Sequence, residues 1–96
     1  ASGQRVEIRG TCMSACTMYL GAGNVCISPN ARFGFHGPSS FGRRLVSQDF
    51  DRWSNVVASH FKPELQQWFM TKARYRINGF YRISGRQLIQ MGYTSC

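Results

Sequence analysis

The sequence predicts one small α/β domain in which short parallel strands carry packed helices. Three observations lead there. Strand-like and helix-like runs follow one another in the order β-α-β-β-α-α-α. The first crossover holds a helix-like run and no hairpin signal, and strands joined that way run parallel. At 96 residues and 43% hydrophobic content, the chain has material for one packed core. Three short strands make a meagre sheet, so the pattern reads as part of a larger α/β domain or as a unit completed by oligomerisation.

Each element has its own justification. Arg5-Val6-Glu7-Ile8-Arg9 alternates polar and apolar residues, the mark of a half-buried strand, and Gly10 ends it. Ser14 to Leu20 is short, apolar and helix-compatible, closed by Gly21-Ala22-Gly23-Asn24. Val25-Cys26-Ile27 is a strand and Ser28-Pro29-Asn30 a turn. Arg32 to His36 is the next strand, with Gly34 marking close approach of another backbone or a ligand. Gly37 to Arg44 reads as a mobile loop. A helix follows from about Ser47 to Phe61, with Phe50, Trp53, Val57 and Phe61 on its apolar face. Pro63 suits the first turn of a second helix, whose apolar face is Leu65, Trp68, Phe69 and Ala73. Ser84-Gly85-Arg86-Gln87 has the form of a capping box and opens a last helix holding Leu88, Ile89 and Met91, stopped by Gly92.

Composition narrows the setting. Twelve Lys and Arg against four acids give a net charge of +8. The charges are spread along the chain, as on a solvated surface, although the balance also suits an acidic partner. No apolar run approaches the ~20 residues of a membrane helix. No signal peptide is visible, and Ala1-Ser2-Gly3 has the small, polar character of a processed start. Cys12, Cys16, Cys26 and Cys96 allow three disulfide connectivities, and their spacing fits no common zinc pattern. Cys12 and Cys26 flank the strand-helix-strand unit and could lie close in space. Disulfides would place the protein in an oxidising compartment, periplasmic or secreted; four reduced core thiols are the alternative.

Ser14 stands where a strand gives way to a helix, and His36 ends the second apolar run, Phe33-Gly34-Phe35-His36. A serine hydroxyl is a poor nucleophile until a neutral imidazole within hydrogen-bond reach takes its proton. A helix starting at Ser14 would aim backbone N–H groups at a developing oxyanion. The plainer alternative makes Ser14 an N-cap and His36 a core histidine. Cys12 or Cys16 paired with His36 is a further alternative, silenced by disulfide bonding. His36, His60 and the cysteines offer too few ligands for a metal, and no cofactor is expected. Glu7, Asp49, Asp51 and Glu64 all have structural explanations, although Asp49 or Asp51 could approach His36 across the loop. Lys72-Ala73-Arg74-Tyr75-Arg76 and Phe80-Tyr81-Arg82 interleave basic and aromatic residues. Arg74, Tyr75, Arg76, Tyr81 and Arg82 would suit single-stranded nucleic acid or an oligomer interface.

These segments together resemble a known family. Gly10-Thr11-Cys12-Met13-Ser14 looks like the G-x-x-x-S nucleophile turn of the Clp protease proteolytic subunit. Cys26-Ile27-Ser28-Pro29-Asn30-Ala31-Arg32-Phe33-Gly34-Phe35-His36-Gly37-Pro38 resembles its C-x-P-N-x-R-x-x-x-H-x-P segment with one residue inserted. Ser84 to Gly92 resembles its closing S-x-x-E-A-x-x-x-G stretch. Cys-Met-Ser-Ala-Cys is closer to the exported, periplasmic branch of Clp-like proteins. The resemblance covers residues 6–92, nearly all of a single domain spanning 1–96, and corresponds to the C-terminal half of the family's domain. It implies a partial Clp/crotonase-type fold, with Ser14 as nucleophile, His36 as general base and the Ala15 N–H as an oxyanion donor. The family's glycine-rich segment, source of the other donor, has no counterpart here. Its aspartate region reads Arg74-Tyr75-Arg76-Ile77-Asn78-Gly79-Phe80, so Asn78 is the residue left to orient the histidine, unless Asn78-Gly79 is simply a turn. The expected function is serine-type peptide hydrolysis on a peptide or protein substrate, with a homo-oligomer as the expected assembly; the alternative is a catalytically silent Clp-like domain that binds a peptide or assembles with itself.

Overall fold

In the computed structural model, which describes residues 5–96, the strand expected over Arg5–Arg9 is β1 (Val6–Ile8), and a second strand that the sequence did not suggest, β2 (Thr11–Met13), follows it. Gly10, with a left-handed φ of 71°, makes the break. The next two expected strands are present as β3 (Val25–Ile27) and β4 (Arg32–Phe35), with a second break between them. β1 pairs parallel with β3, and β2 parallel with β4. Ser28 N donates to Ile8 O at 3.0 Å and Arg32 N to Gly10 O at 2.8 Å, carrying the ladder across both breaks. The expected parallel strands are therefore present. Ala1-Ser2-Gly3, read as a processed start, lies outside the described residues.

Two further elements depart from the sequence reading. The segment after His36 holds a small hairpin, β5 (Ser39–Ser40) against β6 (Arg43–Arg44). Its turn residues Phe41 and Gly42 both have left-handed φ, 50° and 76°, the twist that a tight hairpin needs. A phenylalanine gives no warning of such a turn. Further on, β7 (Tyr81–Ser84) adds antiparallel to β4, so the main sheet is mixed, in the order β2-β4-β7.

The helices are closer to expectation. The run after β2 is an eight-residue 3-10 helix, Ser14–Gly21. α1 spans Ser47–Ala58 and buries Phe50, Ser54 and Ala58, spaced four residues apart. Trp53, expected on this face, is 47% exposed, because the small Ser54 and Ala58 let the helix lie flat on the core. Phe61 is buried from the turn that follows. α2 (Pro63–Thr71) starts with proline at its first position and buries Leu65 and Phe69. A single 3-10 turn, Ala73–Tyr75, follows. α3 (Gly85–Gln90) carries the capping box in full: Gln87 N donates to Ser84 Oγ at 3.1 Å, and Ser84 N donates to Gln87 Oε1 at 2.8 Å. Ser84→Ala removes half of this exchange and should cost about 1 kcal/mol. Urea unfolding would register it as a lower midpoint at unchanged slope.

Phe33 and Phe35 of β4 sit at the centre of the core with Ile27, Leu65, Phe69 and Leu88, all essentially inaccessible. Phe35 meets Phe61 and Trp68 edge-on, with ring centroids 5.6 and 5.3 Å apart, the arrangement that ring quadrupoles favour. The cysteines pair Cys12–Cys16 and Cys26–Cys96. Cys12 and Cys26 are thus not bonded to each other, and with no free cysteine a thiolate nucleophile is ruled out. Two disulfides fit an oxidising compartment. Among the described residues, no helix is long and apolar enough to cross a membrane.

Candidate active site

The β2–β4 register builds the site. Met13 lies opposite Gly34, so the residue after Met13 and the residue two beyond Gly34 leave the sheet side by side. These are Ser14 and His36. Ser14 Oγ stands 2.9 Å from His36 Nε2. Ser14 itself has a φ of 57°, a left-handed backbone that a β-carbon disfavours. The turn is tight because the extended chain must pass directly into the 3-10 helix at this residue. Cys12–Cys16 bridges the turn from two residues before Ser14 to two after it. Thr17 Oγ1 donates to Ser14 O at 2.6 Å, closing it from the helix side.

The second imidazole nitrogen decides what the pair can do. His36 Nδ1 is 2.7 Å from Gly37 O. A carbonyl oxygen only accepts, so Nδ1 carries the proton and the neutral ring offers Nε2 as acceptor. The Ser14 hydroxyl therefore donates to Nε2, which is the direction needed for proton abstraction. Phe80 packs edge-on against the ring at 5.5 Å, limiting its rotation.

Gly37 is fixed in turn. Its N–H donates to Arg76 O at 2.8 Å, and a Cβ at this position would collide with the carbonyl oxygen of Arg74. Arg74 is anchored on all sides. Its Nη1 meets Asp51 Oδ1 at 2.8 Å, its Nε donates to Met70 O, and its guanidinium lies over Phe50 and Tyr75. The segment expected to supply an orienting side chain thus supports His36 through the backbone.

Asn78 does not take the role assigned to it. It is exposed, in a bend whose Gly79 has a φ of 75°, and its main-chain carbonyl accepts from Arg76 Nε at 2.8 Å. Its side chain makes no hydrogen bond to His36, whose Nδ1 is already taken by Gly37 O; Asn78-Gly79 is a turn. The acids are elsewhere too. Asp51 holds Arg74, Asp49 is 3.9 Å from Arg52, and Glu64 opens α2. Glu7 pairs with Arg9 at 2.8 Å, and the Arg9 hydrogen bond and charge hold its carboxyl below the usual range. His60 turns Nδ1 back to Val56 O at the end of α1. Glu7, Cys26 and Cys96 bring ligand-type atoms within 4.8 Å of one another, but the two sulfurs are bonded to each other and offer no thiolate.

Ser14, Ala15 and His36 line a cleft of about 120 Å³ whose other walls include Met18, Val57 and Phe69. Its apolar walls suit an aliphatic side chain held beside the serine. Ala15, the expected oxyanion donor, stands in the first turn of the 3-10 helix and faces this cleft. The basic-aromatic string is largely committed. The Arg74 side chain is only 15% exposed, Arg76 holds the Asn78 bend, and Tyr81 packs edge-on against Trp68 at 5.1 Å. Tyr75, Arg76, Tyr81 and Arg82 are nonetheless exposed, although Tyr75 also accepts from Arg74 Nη2 at 2.9 Å.

Gly37 is the residue that sequence reasoning missed. The available signal was a glycine between the candidate base and Pro38, where a side chain is absent and the backbone is restricted. Comparison with family models, with curated proteins and with solved structures finds no match to this chain. The likeness to the Clp proteolytic subunit thus rests on the sequence segments alone.

Proposed function

We propose that this chain is a serine-type peptide hydrolase of Clp-like character, working in the periplasm or outside the cell. The observation that carries the reading is the 2.9 Å contact between Ser14 Oγ and His36 Nε2, on a ring whose Nδ1 lies 2.7 Å from Gly37 O. Ser14 Oγ attacks the scissile carbonyl carbon as Nε2 takes its proton. The carbonyl oxygen becomes an oxyanion facing the Ala15 N–H. His36 then passes the proton to the leaving amine, and water, activated by the same ring, releases the acyl group. The Clp/crotonase-type fold belongs to the same proposal.

A fluorophosphonate probe with intact-mass readout tests it. The wild-type protein should gain one adduct, and Ser14→Ala and His36→Ala none. An adduct that persists in Ser14→Ala would remove the nucleophile assignment.

A second reading, a silent domain that assembles with copies of itself or grips a peptide, is favoured by one observation. Val46, Trp53 and Val56 are exposed on or beside α1, with Phe41 fully exposed nearby in sequence. Apolar surface of this kind marks association. No labelling in any form, with a dimer or larger species in solution scattering, would support this reading over the first.

A further inference from the structure

The face of the main sheet turned away from the core carries an unused pair of cations. In the β4–β7 register Arg32 stands opposite Ser84, and Gly34 opposite Arg82. Strand alternation puts these four on one face, while Phe33, Phe35 and Ile83 fill the core from the other. Across β4, Met13 stands opposite Gly34 and Thr11 opposite Arg32. Arg82 is therefore in the row that leads over Gly34 to Met13, the residue before Ser14. Arg32 lies one repeat further from the site.

Neither guanidinium has a partner among the described residues. Arg5, Arg9, Arg52 and Arg74 approach acids, and Arg44 lies over Phe50. Three of the chain's four acids are spent in those pairs, and the fourth, Glu64, opens α2. Arg32 and Arg82 occupy diagonal positions on neighbouring strands, ~7–8 Å apart at the backbone and within joint reach of one small anion. A cleft of about 260 Å³ opens between them, bounded also by Ile83 and Gln87. Ser84 Oγ and Gln87 Oε1 both accept in the capping box, so what the cleft has free is positive charge and hydrogen-bond donors.

We propose that Arg32 and Arg82 form a carboxylate subsite of the hydrolase, resting on the function proposed above. Arginine suits this ligand because its planar fork matches the two carboxylate oxygens. Two strand spacings separate Met13 from Arg82, ~10 Å, which about three residues of extended peptide cover. The carboxylate is an Asp or Glu side chain about three residues from the scissile bond, or a peptide C-terminus at that distance.

The test uses paired fluorogenic peptides that differ only in Glu or Gln at the second, third or fourth residue on either side of the cleaved bond. A further pair ends in a free acid or an amide. Wild-type protein should prefer one Glu peptide, or the free acid, by ~5–10-fold in kcat/KM, and the pair responding identifies the source. The ratio should fall towards one in the Arg32→Gln/Arg82→Gln double variant and in 0.5 M salt, roughly where the Debye length drops to a few Å. Fluorescence anisotropy of the same labelled peptides on Ser14→Ala protein reads the subsite without turnover. Equal binding of every pair overturns the subsite even if the fluorophosphonate labels Ser14. Failure of labelling together with selective acid binding would retain the subsite and remove the hydrolase.

Discussion

Gly37→Ala should reduce fluorophosphonate labelling of Ser14 by at least ~10²-fold while leaving Ser14 and His36 chemically intact. The cause is steric and then electronic. A methyl group at residue 37 collides with the Arg74 carbonyl oxygen, and the Gly37 N–H is held by Arg76 O on the same turn. The turn cannot yield easily, because Arg74 is pinned by Asp51, Met70 O and two aromatic rings. The strand end must move instead, carrying Gly37 O away from His36 Nδ1. The ring then loses the acceptor that keeps its proton on Nδ1, and the Nε2–H tautomer that becomes accessible donates to Ser14 where it should accept. In serine proteases, losing the group that holds the tautomer lowers turnover by ~10⁴. The overpacking adds about 1–3 kcal/mol of destabilisation. Imidazole ¹⁵N shifts separate the two effects: wild type should show a protonated Nδ1, and Gly37→Ala a mixture. A variant labelled at the wild-type rate with Nδ1 still protonated would show that Gly37 has no positioning role.

This arrangement explains what could be read in the chain and what could not. The proximity of Ser14 and His36 was legible because Ser14 stands where a strand-like stretch gives way to a helix-like one and His36 ends a short apolar run, and parallel pairing brings those two points together. The capping box at Ser84 and the proline start of α2 were legible because both are local hydrogen-bonding or conformational rules. The orienting group was not legible, since it is a main-chain carbonyl held by contacts from a turn far along the chain. In that stretch Asn78 is the one amide and there is no acid, so the sequence offers either Asn78 or a plain Asn-Gly turn. β7 was hidden for a different reason. Of Tyr81 to Ser84 only Ile83 is buried, too short an alternation to stand out beside the capping motif that begins on its last residue. On α1 the prediction chose the large Trp53 over the small Ser54 and Ala58, but close packing against the core selects small residues where a helix backbone approaches it.

The two disulfides should prove to have different consequences. Cys26–Cys96 closes a loop with a sequence separation of 70, which by the chain-entropy argument is worth roughly 4 kcal/mol. It also ties down the C-terminal residues that pair with β3, where Ile27 N donates to Thr94 O at 2.8 Å and Cys96 N to Ile27 O at 3.1 Å. The Cys26→Ala/Cys96→Ala variant should lose roughly 15 °C or more in thermal midpoint, given that 1 kcal/mol shifts a domain of this size by about 4–8 °C. Cys12–Cys16 has a separation of only four residues, worth about 2 kcal/mol by the same argument. Its position matters more, because it brackets the left-handed Ser14 turn. A positive φ on a non-glycine residue costs on the order of 1–3 kcal/mol and persists only where its surroundings over-determine it. The Cys12→Ala/Cys16→Ala variant should therefore stay folded, with the smaller midpoint loss, yet label at least ~10-fold more slowly as Ser14 relaxes out of line with Nε2. Scanning calorimetry and labelling rates on the two double variants check both halves. If the Cys12–Cys16 variant kept the full labelling rate, Thr17 and the β2–β4 pairing alone would hold the turn.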